Sequence, residues 1–158
     1  MPYTPILGVL GYVVRDGAVL LVLRSRHGDA HQGKYNGLGG KVEADEDVVG
    51  CLHRELDEEA GLAVTSARLR GTVSWPGFGP DGEDWFGFVF VIDGFAGEPP
   101  ERNDDGPLRW VPLDELAGLP MWEGDRHFLP LVFDDDPRPF HGVMPYADGR
   151  PVSWSYHR

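Results

Sequence analysis

Glu55, Glu58 and Glu59 are the side chains in this sequence best placed to do chemistry. Separations of three and four residues bring Glu55, Glu58 and Glu59 out on one side of a helix. Three crowded carboxylates repel one another, and alone such a pattern describes a solvated acidic face. Two neighbours change that reading. Arg54 lies in the same turns, and a glycine-rich loop containing Gly37, Gly39 and Gly40 immediately precedes the helix. Hard divalent cations take oxygen ligands, and Mg²⁺ holds about six of them near 2.0 to 2.1 Å while keeping several waters. Clustered glutamates supply part of that shell and substrate phosphates can supply more. A retained water, relieved of a proton by a carboxylate, becomes a nucleophile. The glycines let backbone approach both cation and phosphate.

The elements that must position these residues follow from patterning. Asp45 as N-cap, acidic residues in the first turn and Gly61 as the stop predict a helix from Glu46 to Ala60. Val49, Leu52, Leu56 and Ala60 give it an apolar stripe. Pro5 to Val14 and Ala18 to Leu23 read as a hairpin turning at Asp16-Gly17, with a short strand near Tyr35 to Gly39 inside an otherwise irregular loop. Further strands are expected at 63 to 74 and at Trp85 to Ile92, with another short segment beginning at Trp110. Helices should start near Asp114 and Asp125, and the last residues form a hairpin around Asp148-Gly149. Strands surrounding helices without a regular repeat indicate an α+β fold, an α/β/α sandwich with a mixed sheet, spanning 1–158 as one domain.

Composition restricts the partners. The 158 residues carry 26 acids against 14 bases, a formal net charge of −12, which repels long nucleic-acid polymers. A small nucleotide escapes this objection because divalent cations neutralise its phosphates. One cysteine, Cys51, excludes an internal disulfide and suits a cytoplasmic setting. The apolar stretches are strand-sized, so no membrane segment is expected. The six histidines, His31 among them, show no metal-ligand spacing. Cys51 reads as a small packing residue rather than a nucleophile.

From Gly40 to Leu62 the chain matches the complete Nudix signature: Gly40, Glu46, Arg54, Glu55, Leu56, Glu58, Glu59, Gly61 and Leu62 stand at its defined positions. The sequence is accordingly identified as a member of the Nudix hydrolases. The resemblance implies water attack on phosphorus in a nucleoside diphosphate derivative, assisted by Mg²⁺ or Mn²⁺. It implies Glu55 and Glu59 as direct metal ligands, Glu58 as a third ligand or a base toward a coordinated water, and the Gly39 carbonyl as a further ligand. Arg54 would orient the carboxylates and Glu46 would be structural. Lys41 reads equally as a phosphate contact or a solvated loop lysine.

The loop GKYNGLGGKVE and the distal residues Trp110, Met121-Trp122, Phe128-Leu129-Pro130 and Phe140-His141-Gly142 resemble the 8-oxo-dGTP diphosphatases, which hydrolyse oxidised purine nucleoside triphosphates. That resemblance implies Asn36 and Asp125 on the edge of the base, Trp122 stacked on it, and Arg24 near the oxidised position. Trp122 also reads as a packing residue, and Trp75, Phe78, Trp85 and Phe86 read as core or as a substrate wall. Where the animal enzyme has two adjacent aspartates this chain has Gly124 and Asp125. An additional metal-binding acid falls on Asp105 or Asp104, which read equally as an exposed acidic turn. The expected reaction is release of pyrophosphate from an oxidised purine triphosphate such as 8-oxo-dGTP. The alternatives are another substrate, such as a nucleotide sugar, dinucleoside polyphosphate or pyrimidine triphosphate, or a non-catalytic nucleotide-binding module.

Overall fold

The computed structural model describes residues 1–28 and 32–158, so His31 lies outside the described residues. In chain order the strands and helices are β1 (Ile6–Arg15), β2 (Ala18–Leu23), β3 (Tyr35–Asn36), β4 (Leu38–Lys41), α1 (Val48–Ala60), β5 (Ala63–Trp75), β6 (Trp85–Ala96), β7 (Arg102–Asn103) and β8 (Gly106–Pro112). A 3-10 helix (Leu113–Gly118) follows, then α2 (Asp125–Phe133), β9 (Phe140–Val143), β10 (Tyr146–Ala147), β11 (Arg150–Pro151) and β12 (Ser155–His157). The main sheet runs β12-β9-β5-β6-β1-β2-β8-β7, with β3 added to β2 and β4 to β1. β1 and β6 are parallel, as are β5 and β9, while the other pairs are antiparallel. The sheet is therefore mixed, as expected.

Period-two alternation distributes its side chains between two cores. Val19 and Leu21 of β2, with Val89 and Val91 of β6, pack toward α2. Leu20 and Val22, with Phe90 and Ile92, pack toward α1. A run such as Ala18–Leu23 is apolar throughout because both faces of its strand are covered. Both hairpin turns carry successive positive φ angles, 52° and 76° at Asp16-Gly17 and 53° and 76° at Asp148-Gly149. This is the geometry that fits the twist of the flanking strands.

Several expected boundaries move for physical reasons. Asp47, not Asp45, caps α1, its carboxylate accepting from the Gly50 amide at 2.7 Å. Glu46 stays outside the helix because its side chain accepts from the Glu43 amide and from Arg54, so the expected acidic first turn does not form. The buried stripe is Cys51, Leu52, Leu56 and Ala60, whereas Val49 is 49% exposed. Full burial of each leucine contributes roughly 1.5 to 3 kcal/mol. At the other end Gly61 takes the left-handed conformation and donates to the Asp57 carbonyl, while the Leu62 amide reaches Leu56.

The single strand expected at Tyr35 to Gly39 is two short ones. At Gly37, where a Cβ would lie 2.8 Å from the Tyr12 ring, the chain leaves β2 and joins β1. The segment near Asp114 is a 3-10 helix rather than an α-helix, and Trp110 lies within β8 rather than beginning an element. β1, β5 and β6 run on past their expected ends to Arg15, Trp75 and Ala96.

The far end of α2 is fastened. Arg70, 2% exposed, donates to the carbonyls of Val132 (2.9 Å), Leu131 (3.3 Å) and Asp136 (2.8 Å) and to the Asp134 carboxylate. Arg158 binds the same carboxylate at 2.6 and 2.8 Å. These bonds satisfy carbonyls that the helix end leaves without intrahelical partners.

Candidate active site

Arg54 organises the acidic end of the site. Its Nε and Nη2 donate to the two Glu46 oxygens at 3.0 and 2.6 Å, and Nη1 reaches Glu55 at 2.9 Å and Glu58 at 3.3 Å. Nη2 also donates to the Lys41 carbonyl at 3.1 Å, tying α1 to the end of β4. The guanidinium holds the Glu46 carboxyl down to about 2. Burial raises the Glu55 carboxyl, partly offset by Arg54. Beside them the buried Cys51 thiol is pushed up to about 12 by desolvation, which leaves it inert.

Glu59 reaches inward. Its Oε2 accepts from the Gly39 amide at 2.9 Å, and burial, reinforced by the Glu55 and Asp105 charges, pushes its carboxyl up to about 8 against the lowering effect of Gly39 and Arg24. Gly40 lies against Glu55, since a Cβ there would overlap the Glu55 carboxylate. A Cβ on Gly39 would overlap the Val9 carbonyl. Both glycines therefore permit β4 to pass close to α1 and β1.

The sequence left Asp104 and Asp105 as alternatives. Asp104 is exposed, whereas Asp105 acts electrostatically on Glu59 and lies 3.7 Å from Arg24 and 3.9 Å from Arg26. Asn103, which the sequence did not single out, positions it. Its Oδ1 accepts from the Asp105 and Gly106 amides, and its Nδ2 donates to the Glu59 carbonyl.

Among the described residues, no three or more His, Cys, Asp or Glu side chains are grouped so as to hold a metal ion by themselves. The donor set nonetheless suits a hard divalent cation. It consists of oxygens, it places mutually repelling Glu55, Glu59 and Asp105 around one region, and Mg²⁺ characteristically uses one or two carboxylates together with water and substrate phosphate. Glu58 is more exposed than Glu55 (58% against 13% of the side chain) and faces Arg54.

A pocket of about 310 Å³ runs from Gly39 and Gly40 to Arg24, Asn36, Trp122 and Asp125. Its lining brings Arg24, Asn36, Trp122 and Asp125 together with Gly39, whereas Glu55, Glu58 and Glu59 lie outside that lining. The Asn36 amide donates to the Lys34 carbonyl at 3.4 Å. Trp122 has the Lys34 ammonium 3.9 Å from its ring centroid and Phe78 edge-on at 6.2 Å. Trp75, Phe78 and Trp85 line the pocket, whereas Phe86 packs against Phe88. Lys41 is exposed with its ammonium 5.5 Å from the Trp85 ring, outside the pocket lining.

Asp125 lines the pocket, and desolvation pushes its carboxyl up to about 7 despite neighbouring Arg126. Tyr146 is a second lining residue that the sequence did not single out. A Cβ on Gly124 would overlap its hydroxyl and lie 2.6 Å from the Met144 sulfur, so a side chain at position 124 requires this tyrosine or the methionine to shift. A separate apolar groove of about 340 Å³, between the 3-10 helix and α2, has no carboxylate in its lining.

Comparison with known proteins bears on the family and the fold. Residues 4–132 match the NUDIX domain. The chain is 35% identical over 130 residues to the oxidized purine nucleoside triphosphate hydrolase of Danio rerio, covering 82% of this chain and 81% of that protein. It is 34% identical over 119 residues to the NAD-capped RNA hydrolase NudC of Chromobacterium violaceum, covering 75% of this chain and 43% of that one. The crystal structure of a MutT protein from Bacillus halodurans superposes with a TM-score of 0.82 at 28% identity, covering 96% of this chain and 97% of the other. With the signature on α1, the mixed sheet between two helical layers and this family match together, the chain belongs to the Nudix hydrolases.

Proposed function

We propose that this Nudix hydrolase converts a purine nucleoside triphosphate, oxidised purines such as 8-oxo-dGTP included, to the monophosphate and pyrophosphate. The observation that carries this reading is one pocket whose lining holds Asn36, Trp122 and Asp125 together with Gly39 and Gly40, the two glycines lying against Glu59 and Glu55. Trp122 offers a broad π-face to a base. Asn36 can donate and accept along the base edge, and Arg24 shares the pocket lining while lying 3.7 Å from Asp105.

Glu55 and Glu59 would hold a divalent cation, Mg²⁺ or Mn²⁺, with Glu58 and the Gly39 carbonyl as further ligands. Such a cation, when bound, supplies charge neutralisation for the phosphates and a more acidic water. Glu58, the most solvent-accessible of the three glutamates, is suited to take a proton from the attacking water. Arg54 fixes the carboxylates, while Lys41, exposed and outside the pocket lining, would meet only a phosphate tail that extends beyond it. A small nucleotide is the partner this site fits. Among the described residues no helix is long and apolar enough to cross a membrane.

The test is product analysis across 8-oxo-dGTP, dGTP, dATP, dCTP, a nucleotide sugar, a dinucleoside polyphosphate and NAD under Mg²⁺ and Mn²⁺. Pyrophosphate release is expected to be fastest with a purine triphosphate. Preferential cleavage of a nucleotide sugar, dinucleotide or pyrimidine triphosphate moves the assignment to that substrate. Gly124 leaves Asp125 alone where the resemblance calls for two adjacent aspartates, and the NudC relative acts on NAD-capped RNA by its name, so these arms are real competitors.

Arg54→Lys tests the organising role of the guanidinium. Lysine cannot span Glu46, Glu55 and Glu58 with a planar fork. Mg²⁺ or Mn²⁺ affinity, measured by calorimetric titration, is expected to fall by about 10- to 100-fold, the usual effect of losing an outer contact to metal ligands. An unchanged titration removes Arg54 from that role.

A further inference from the structure

Gly124 has ordinary helical angles, φ −63° and ψ −34°, so backbone conformation does not demand glycine there. Space does. The Tyr146 hydroxyl and the Met144 sulfur occupy the volume that any side chain at position 124 would enter. Tyr146 is itself held firmly. Its amide donates to the Pro76 carbonyl at 2.7 Å, and its ring meets Phe78 edge-on at 5.0 Å, within the aromatic group that also contacts Trp122. The residue is 8% exposed, and it shares the pocket lining with Asp125.

We infer that the Tyr146 hydroxyl is a specificity-determining group that, paired with Asp125, decides which purine edge the pocket accepts. The inference deepens the purine triphosphate reading and rests on it. An ionised carboxylate in this place could only accept hydrogen bonds, whereas a neutral phenol both donates and accepts. Burial, with the charges of Asp125 and Glu123, pushes the phenol up to about 12, so it stays neutral throughout the working range. The base end is then a hydroxyl beside a carboxyl, able to meet either a carbonyl or an amino group on a purine. Gly124 and Tyr146 form a matched pair, the first supplying the space that the second fills.

The experiment compares kcat and KM for 8-oxo-dGTP, dGTP and dATP in the wild type, Tyr146→Phe, Gly124→Ala and the double variant. Tyr146→Phe keeps the ring contacts and removes only the hydroxyl. Gly124→Ala displaces that hydroxyl by its Cβ. Each single variant is expected to shift the ratio of kcat/KM between 6-oxo and 6-amino purines by about tenfold, mostly through KM, the scale of one net hydrogen bond. The double variant should shift it no further, because both changes remove the same contact. Wild-type turnover of purine triphosphates with ratios unchanged in Tyr146→Phe, including an equal loss on every substrate, overturns the role of Tyr146 alone. A wild type that releases pyrophosphate from no purine triphosphate overturns the purine reading and this inference with it.

Discussion

Glu59→Gln is expected to reduce kcat by at least about a thousandfold while leaving the fold intact, a loss on the scale of removing a principal electrostatic contributor. Glutamine retains an oxygen that can accept from the Gly39 amide, as the native carboxylate does at 2.9 Å. What it loses is the negative charge, in a place where burial, Glu55 and Asp105 oppose that charge more strongly than Gly39 and Arg24 favour it. Steady-state rates together with circular dichroism and a thermal melt separate chemistry from folding. A folded variant retaining turnover within about tenfold of wild type would exclude Glu59 from the assigned role.

Asp125 yields the second large effect, in two measurements. Asp125→Ala removes the one carboxyl group assigned to the base edge, and kcat/KM for the preferred purine triphosphate should fall by about 100-fold, as for loss of a hydrogen bond involving a charged group. A change below about threefold excludes a base contact. Asp125→Asn isolates the cost of charge. The folded carboxyl titrates at about 7, raised above its ordinary value of 3.8 chiefly by desolvation, so the fold favours the protonated form. That stabilisation is complete below the unfolded value and is lost as pH rises through about 7.

Asparagine has no charge to lose. Its stability relative to wild type should therefore increase from pH 5 to pH 8, by on the order of 2 kcal/mol once solvent reaching the carboxyl through the pocket is allowed for. Tyr12 and Tyr146 feel the same carboxylate and are both raised, Tyr12 mainly by burial, so neither ionises across this window. Denaturant unfolding at the two pH values checks the sign. Equal differences at both would mean that Asp125 is already solvated like a surface acid.

The helix of the signature was legible in the sequence because its information is local. Arg54, Glu55, Glu58 and Glu59 meet at helical spacing, and Gly61 stops the helix wherever the rest of the chain goes. Strand patterning was equally readable in Ala18–Leu23 and Trp85–Ile92. The less accurate boundaries reflect choices made by tertiary contacts. Both Asp45 and Asp47 can cap a helix, and the clamp between Arg54 and Glu46 decides between them. The Tyr12 ring divides the strand at Gly37. Asn103 and Tyr146 lie far in sequence from the residues they serve, Glu59 and Gly124, so no spacing rule points to either. The roles of Asn36, Trp122 and Asp125 rested on resemblance, and the fold gives them a shared pocket.

The sheet that separates the two cores has an evolutionary consequence. The acidic machinery belongs to α1 and the layer beneath it, whereas Trp122, Asp125 and Tyr146 rest on the opposite layer, whose helix is fastened by Arg70 and Arg158. Mutational drift in one layer need not be transmitted to the other, since two-sided strands such as β2 and β6 carry separate sets of side chains on each face. Selection can therefore exchange the cargo a descendant recognises, one aromatic or acid at a time, while the hydrolytic engine is inherited unaltered.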